Sequence, residues 1–470
     1  MLEYMIAVLI VSAFLMLTIR KDFIAIAAII ISFIMVAVIF LQGQITIVRY
    51  GDWMPPFGIV WVVDKLNAFI GLIIAGMCSL VAIYSIKYIR HRKHRFYTLL
   101  CLMTAGLLGV CLTGDIFNMY VFFEILSISS YGLVAFFLDE HAIEGAFKYL
   151  VMGSLGSSFL LLGIALIYGM TGTLNMADIA LFASGSSHSP YLIFAVFLVI
   201  CGFGLKAAIV PFHAWKPDAI EGTPISLGAL FATASSAIGV YGIMRVLFIF
   251  GLLQLNFVLI GLGIITMLTG ALLALVQTNV KRMLAYSSIS QMGYVIMAIG
   301  LGTTAGLVSG LYHILNNALI TGLLFMAIGC VVYITGKEEL DEMGINNTPL
   351  LICIGIGVLS MAGIPPFNGF VSKWLIFMAS WEISPLLTII AVAASAITLA
   401  YGLKIFSSIF FSSRKLEGRI PKTMLIPVII LTLLCVLIGF FPQLGLNMVE
   451  PASSALLNQN QYITAVLGGG

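Results

Sequence analysis

The sequence predicts an all-α membrane protein of about fourteen transmembrane helices, containing two inverted five-helix repeats with broken helices 7 and 12. Three observations predict it. Only 9% of the 470 residues are Asp, Glu, Lys or Arg and 61% are hydrophobic, against roughly a quarter charged in a soluble protein. The apolar residues fall in runs of about 20, the length that a helix needs to cross the hydrocarbon core. Short sequences also recur about 160 residues apart, with proline breaks at corresponding places. A chain so poor in charge cannot solvate its own surface, which excludes a soluble enzyme, a nucleic-acid binder and a disordered protein. The net charge of +3 implies no acidic partner, and no basic run is interleaved with aromatic residues as a nucleic-acid groove requires.

Divided wherever charges, Pro or Gly/Asn clusters interrupt the apolar runs, the chain yields spans near 3–19, 23–42, 66–86, 97–113, 115–138, 147–170, 190–212, 225–249, 256–277, 283–301, 305–335, 350–380, 385–410 and 423–443. Cations concentrate in cytoplasmic loops and so set orientation. With the N-terminus outside, sixteen Lys and Arg fall in inner loops, among them the run Lys87 to Arg95, Lys148, Lys216, Lys281, Arg282, Arg414 and Lys415. Only Arg49 and Lys65 fall in outer loops, and Lys206, Arg245, Lys373 and Lys404 fall inside spans. A multi-pass protein of the cell membrane with both termini outside is expected. The first span carries Glu3, no basic leader and no small-residue cleavage site, so it reads as retained. The seven cysteines all lie within spans without CxxC spacing, as buried apolar fillers do.

The self-similarity divides the chain into helices 1–3 (residues 1–96), a first repeat of helices 4–8 (97–250), a second repeat of helices 9–13 (251–411), and helix 14 with an outward tail (412–470). Asn118 with Ser127-Ile128-Ser129 matches Asn279 with Ser288-Ile289-Ser290, and Thr171-Gly172 matches Thr335-Gly336. Ser236-Ala237-Ile238 before Tyr241-Gly242 matches Ser395-Ala396-Ile397 before Tyr401-Gly402. An odd number of spans per copy turns the second copy upside down, the plan of transporters whose path runs near the midplane. Span seven meets Val210-Pro211-Phe212-His213 and Lys216-Pro217-Asp218, and span twelve meets Gly363-Ile364-Pro365-Pro366-Phe367-Asn368-Gly369. Proline removes a donor and clashes with the preceding turn, so each segment must open its hydrogen-bond ladder. Each break alone reads as a proline kink; matched breaks beside lysines read as function.

A lone charge at the bilayer centre costs about 3 kcal/mol or more, which makes intramembrane ionisable residues functional candidates. Glu124 lies mid-span, Lys206 precedes the first break and Lys373 follows the second. A Glu124–Lys206 contact that forms and breaks would let the lysine take up and release a proton; a static ion pair is the alternative. His313, of the side-chain type whose unperturbed pKa lies near neutrality, is placed to relay between the lysines, or to hydrogen-bond Asn316 or Asn317 across helices. Lys148, Arg245 and Lys404 lie close enough to span ends to snorkel. His91 and His94 belong to a run that sets topology, and Glu140, His141 and Glu144 to a solvated loop.

Four stretches resemble the antiporter-like subunits shared by Mrp-type sodium/proton antiporters, respiratory complex I and membrane-bound hydrogenases: Phe122-Phe123-Glu124; Lys206-Ala-Ala-Ile-Val-Pro-Phe-His-Ala-Trp-Lys-Pro-Asp-Ala219 leading to Thr223-Pro224; Lys281 to Gly293; and Gly363 to Lys373. The resemblance, which runs from about residue 65 to 410, implies that Glu124 and Lys206 form a proton-pumping pair and that Lys373 gates the opposite half-channel. It also implies partners: other membrane subunits of a multi-subunit complex, iron–sulfur or hydrogenase-like peripheral subunits, the bilayer, and protons with or without sodium. Family members commonly carry a Lys or His in span eight where this chain has Ala237, and further ionisable groups in span eleven where it has Asn317 and Thr321. Lys148, His213, Asp218, Ser236, Asn316 and Asn317 are candidate supporting residues beside the principal four, Glu124, Lys206, His313 and Lys373. No cysteine cluster, dinucleotide fingerprint or haem motif occurs in the sequence, so no cofactor or metal is expected and electron chemistry would belong to partners. A non-conducting structural subunit is the alternative, and an intramembrane enzyme a distant third.

Overall fold

Lipid offers backbone amides and carbonyls no hydrogen bonds, so they must pair within the chain. The computed structural model, which describes residues 2–185, 189–252, 255–412 and 416–468, answers with helices. Arg414 and Lys415, expected as inner-loop cations, lie outside the described residues. Helices α1 (Leu2–Ile19) and α2 (Asp22–Gln42) precede a two-stranded antiparallel hairpin of β1 (Thr46–Arg49) and β2 (Val60–Val63), a small exception to the all-α class. There follow α3 (Lys65–Tyr88), α4 (Lys93–Leu112), α5 (Ile116–Val134), α6 (Glu140–Thr171) and α7 (Met176–Gly185). The first broken span is α8 (Pro190–Ala207) with α9 (Trp215–Gly222), and the next is split into α10 (Ile225–Ala232) and α11 (Ala234–Ile249). Then come α12 (Asn256–Val276), α13 (Val280–Gly300) and α14 (Thr304–Thr335). The second broken span is α15 (Thr348–Ala362) with α16 (Asn368–Ile383), followed by α17 (Pro385–Phe410), α18 (Lys422–Phe440), α19 (Pro442–Leu457) and α20 (Gln459–Leu467).

Among the described residues twelve helices, counting α10 with α11 as one, are long and apolar enough to cross a membrane. The two expected spans outside that set are α13, which carries the polar run Tyr286 to Gln291, and the split α15–α16. Capping explains many boundaries: Asp64, Asp115, Asp139, Asn279, Thr303 and Asn347 accept from the first free amides of α3, α5, α6, α13, α14 and α15, removing orphan donors where each helix starts. The residues after position 443, expected as a tail, belong to α19 and α20; α19 packs on α3 and α14, and α20 on α7.

The centre is α10–α11, every residue of which is buried. It packs against α8, α13 and α14. Close approach depends on glycine: a Cβ on Gly263 or Gly293 would meet the Met297 or Met267 backbone, so α12 and α13 can touch only because both positions are bare, as small residues permit in lipid.

Two cations depart from their expected places. Arg245 does not snorkel. It is buried, with Nη1 2.8 Å from Asp64 Oδ2, Nε donating to Tyr241 Oη at 3.2 Å, and its guanidinium 5.4 Å from the rings of Tyr241 and Tyr462. Lys216 is no loop cation: it is 0% exposed, because α9 folds back into the bundle after the proline break. Lys404, which binds the carbonyls of Leu275 and Gln277 at a helix end, behaves as expected.

Candidate functional site

Lys206 sits in the last turn of α8, where Ala208 adopts a left-handed conformation (φ 58°) and stops the helix before Pro211. Its ammonium is buried, with Nζ 2.6 Å from Tyr149 Oη on α6 and 3.5 Å from Ser127 Oγ on α5. The rings of Phe123 and Tyr149 lie 5.5 and 5.2 Å from Nζ, within the range at which an aromatic face attracts a cation. Tyr149 is held in turn: it stacks on Trp215 at 3.9 Å and 8°, and Trp215 Nε1 donates to Leu205 O at 3.0 Å.

Glu124 follows Phe123 and lies one turn before Ser127 on α5, a spacing that puts the two on one face of the helix. It makes no ion pair with Lys206 within 4 Å, and its Oε1 is buried without a hydrogen-bond partner. The expected contact is therefore open in this structure, and the static ion pair is not what the geometry shows.

Beyond α11 lies a second group. His313 on α14 is buried, with Nε2 3.1 Å from Gln291 Oε1 on α13 and Nδ1 3.0 Å from Ser372 Oγ on α16. It does not bond Asn316 or Asn317. Asn316 exchanges bonds with Asn368 at 2.7 and 3.1 Å, and Asn317 accepts from Thr321 at 2.9 Å. Lys373 adjoins Ser372; its Nζ donates to Met361 O at 2.9 Å, Ala362 O at 3.3 Å and Ser395 Oγ at 3.0 Å. The first two are the last carbonyls of α15, where the helix dipole favours a cation. Gln291, His313, Asn317, Thr321, Ser360 and Lys373 border a cavity of about 10 Å³, on the order of the room that one water needs.

The other candidates separate into different places. Lys148 and Asp218 lie at the rim, 2.7 Å apart, in a cluster completed by Glu144 (2.7 Å from Lys148) and by Arg282 (2.6 Å from both Asp218 and Glu221). This cluster ties α6, α9 and α13 together and takes no part in the buried groups. His213 is partly exposed at the first break, with Nδ1 unpartnered. Ser236 on α11 receives the Lys216 amine at 2.7 Å.

Sequence reading missed Tyr149, Ser127, Gln291, Ser372 and Lys216. Ser127 was findable from its one-turn spacing to Glu124, and Gln291 as an amide inside a span. Tyr149 carried no signal, being one tyrosine among 17.

Comparison with known proteins places the chain. Residues 113–398 match the family described as NADH:quinone oxidoreductase/Mrp antiporter, transmembrane. The NADH-quinone oxidoreductase subunit N of Desulforudis audaxviator is 33% identical over 430 residues, covering 85% of this chain and 86% of that protein. A Na(+)/H(+) antiporter subunit of Bacillus subtilis is 32% identical over 452 residues, covering 93% and 92%. A chain of the membrane-bound sulfane sulfur reductase, an archaeal respiratory membrane complex, superposes with a TM-score of 0.94 at 31% identity, and one of the Mrp complex from Dietzia sp. with 0.92 at 25%, each over 99% of both chains. With broken helices, buried lysines and a likeness spanning nearly its whole length, the chain belongs to the NADH:quinone oxidoreductase/Mrp antiporter transmembrane family and is an antiporter-like, multi-pass membrane subunit.

Proposed function

We propose that the chain carries protons between Glu124 and Lys206 in the first half and His313 and Lys373 in the second, as one subunit of a multi-subunit complex in the cell membrane. Exchange for sodium, and association with iron–sulfur or hydrogenase-like peripheral subunits, are further parts of this reading. The observation that carries it is that Lys206 and Lys373 are buried at the two helix breaks with no carboxylate within 4 Å among the described residues, bonded only to hydroxyls and carbonyls. An amine locked to a carboxylate holds its proton; one held by neutral groups can give it up. The His313 bridge suits a relay, because Gln291 Nε2 is buried without a partner. Turning that amide reverses the direction of the bond to His313.

The division into inverted repeats, residues 97–250 and 251–411, belongs to the same proposal. Helices α6 and α14 are both 32 residues long and both end on a left-handed glycine, Gly172 and Gly336. Asp115 caps α5 and bridges to Asn175; 164 residues on, Asn279 caps α13 and bridges to Glu339. These recurrences support two copies of one plan; fourteen spans and both termini outside are further parts of the proposal.

Substitution of Lys206 with Ala tests the function. We expect the complex to assemble and its proton flux across membrane vesicles, followed with a pH-sensitive dye, to fall. Wild-type flux in a fully assembled Lys206→Ala complex would sink the proposal.

A further inference from the structure

We propose that Lys216 is a second proton carrier of the first half, the counterpart of Lys373, and that protons pass from Lys206 toward His313 by way of its amine and Ser236. This rests on the proton path proposed above.

Lys216 is fully buried, and its Nζ donates to Ser236 Oγ at 2.7 Å. Five cations are buried among the described residues: Lys206, Lys216, Arg245, Lys281 and Lys373. Arg245 and Lys281 are neutralised by Asp64 and Glu338, each at 2.8 Å. Lys216 is not, although Asp218 and Glu221 share its short helix. Those two carboxylates turn to Arg282 at the rim. On α9 the carboxylates two and five residues on do not face Lys216, and no other carboxylate comes within 4 Å of its amine among the described residues. Lys216 instead has its amine inside the bundle on a hydroxyl, the arrangement of Lys373 on Ser395 at 3.0 Å.

Those two contacts come after two breaks of like backbone, with the lysines 157 residues apart and the serines 159. At the first, Ala208 N bonds Leu205 O and Ile209 N bonds Gly204 O, both at 3.0 Å, and Phe212 N bonds Ile209 O at 2.7 Å. At the second, Gly363 N bonds Ser360 O and Ile364 N bonds Leu359 O, both at 3.0 Å, and Phe367 N bonds Ile364 O at 3.2 Å. The pattern repeats 155 residues on, and after each break a helix sends a buried lysine to a serine followed by Ala-Ile in the next span: Ser236-Ala237-Ile238 and Ser395-Ala396-Ile397.

The position suits passage across the molecule. Trp215, the residue before Lys216, is bonded to Leu205 O and stacked on Tyr149, the tyrosine that holds Lys206. Ser236 lies on α11, which packs against α8 and touches α13, the helix of Gln291. In the transfer, protonated Lys206 gives its proton to neutral Lys216; Lys216 then gives one to the Ser236 hydroxyl as that hydroxyl releases its own toward His313, so that lysine and serine both end as they began. One positive charge has moved.

Three variants test this in the assembled complex: Lys216→Gln, which keeps a donor toward Ser236 but carries no charge; Lys216→Gln with Ala237→Lys, which returns a buried amine to the bundle from α11, next in sequence to Ser236; and Lys206→Ala as the reference. Positioned proton-transfer groups contribute about 100-fold to a rate, so we expect vesicle proton flux through Lys216→Gln to fall at least about tenfold with assembly intact on native gels. The double variant should recover much of it. Wild-type flux in Lys216→Gln beside lost flux in Lys206→Ala overturns the role of Lys216 and leaves the proposed function standing. Loss in Lys216→Gln without recovery in the double variant assigns Lys216 a structural role and overturns it too. Wild-type flux in both Lys216→Gln and Lys206→Ala removes the proton path on which the inference rests.

Discussion

Glu124 and Lys206 stand apart: Lys206 Nζ donates to Tyr149 Oη at 2.6 Å, and Glu124 Oε1 is left buried without a partner. The pair is thus poised between partners, with the tyrosine holding the amine that the glutamate would neutralise. A Tyr149→Phe substitution keeps the stack on Trp215 and removes only the acceptor. A hydrogen bond to a charged group is worth about 1.5–3 kcal/mol, so proton flux should change by roughly tenfold or more with the complex still assembled. Unchanged flux with the complex intact would place Tyr149 outside the path.

The bond between His313 and Gln291 gives the next expectation. Gln291→Leu keeps the volume near that of the amide and leaves His313 with Ser372 alone. Proton flux should drop sharply in Gln291→Leu and much less in Gln291→Glu, which retains an acceptor for Nε2. Equal flux in the two variants, measured in vesicles matched for complex content, would count against a relay through this histidine.

The Arg245–Asp64 pair predicts stability and not transport. Removing one partner from a buried ion pair costs about 3–5 kcal/mol, whereas replacing both with apolar residues is often neutral. Arg245→Met or Asp64→Leu alone should lower the melting temperature of the detergent-solubilised complex clearly, and the double variant should recover much of the loss. Additive losses in the double variant would show that the two side chains act separately.

The rim cluster should matter little by comparison. Lys148 is 44% exposed in its side chain and shares Asp218 with Arg282, and exposed pairs contribute about 0–1 kcal/mol. Lys148→Ala should leave flux near wild type and stability within about 1 kcal/mol, with a difference that shrinks as salt rises. A large loss of flux would move Lys148 from the rim into the path.

At the α12–α13 contact, Gly293→Val should prevent assembly. Its Cβ would meet the Met267 backbone, and backbone cannot move aside as a flexible side chain can. Normal complex yield on native gels would contradict the close approach.

Much of this architecture was readable in the sequence because lipid imposes one rule everywhere. Apolar runs of spanning length correspond to helices, and the prolines of residues 211 and 365–366 mark both breaks. Glu124, Lys206, His313 and Lys373 stood out because a charge among apolar neighbours is costly. Local pattern misleads where cost depends on folding back. Lys216 lies between Trp215 and Pro217, two residues from Asp218, and in sequence looks like a solvated turn. Burial of α9 reverses that reading. Arg245 was placed at a span end, but its partner Asp64 lies 181 residues away, beyond the reach of any local pattern. The split at Thr233 has no proline to announce it; its backbone (φ −113°, ψ −85°) leaves the helical region inside a continuous apolar run.

The cage around Arg245 has a bearing on how the chain reaches its final state. Its parts come from three widely separated stretches: Asp64 caps α3, Arg245 projects from α11, and the ring of Tyr462 closes over the guanidinium from α20. The carboxylate on α3 is therefore made well before its cation on α11, and the covering ring comes only with the last helix described. The order of synthesis makes α20 a latch: the first half of the bundle is completed by residues that leave the ribosome after the second half has been made.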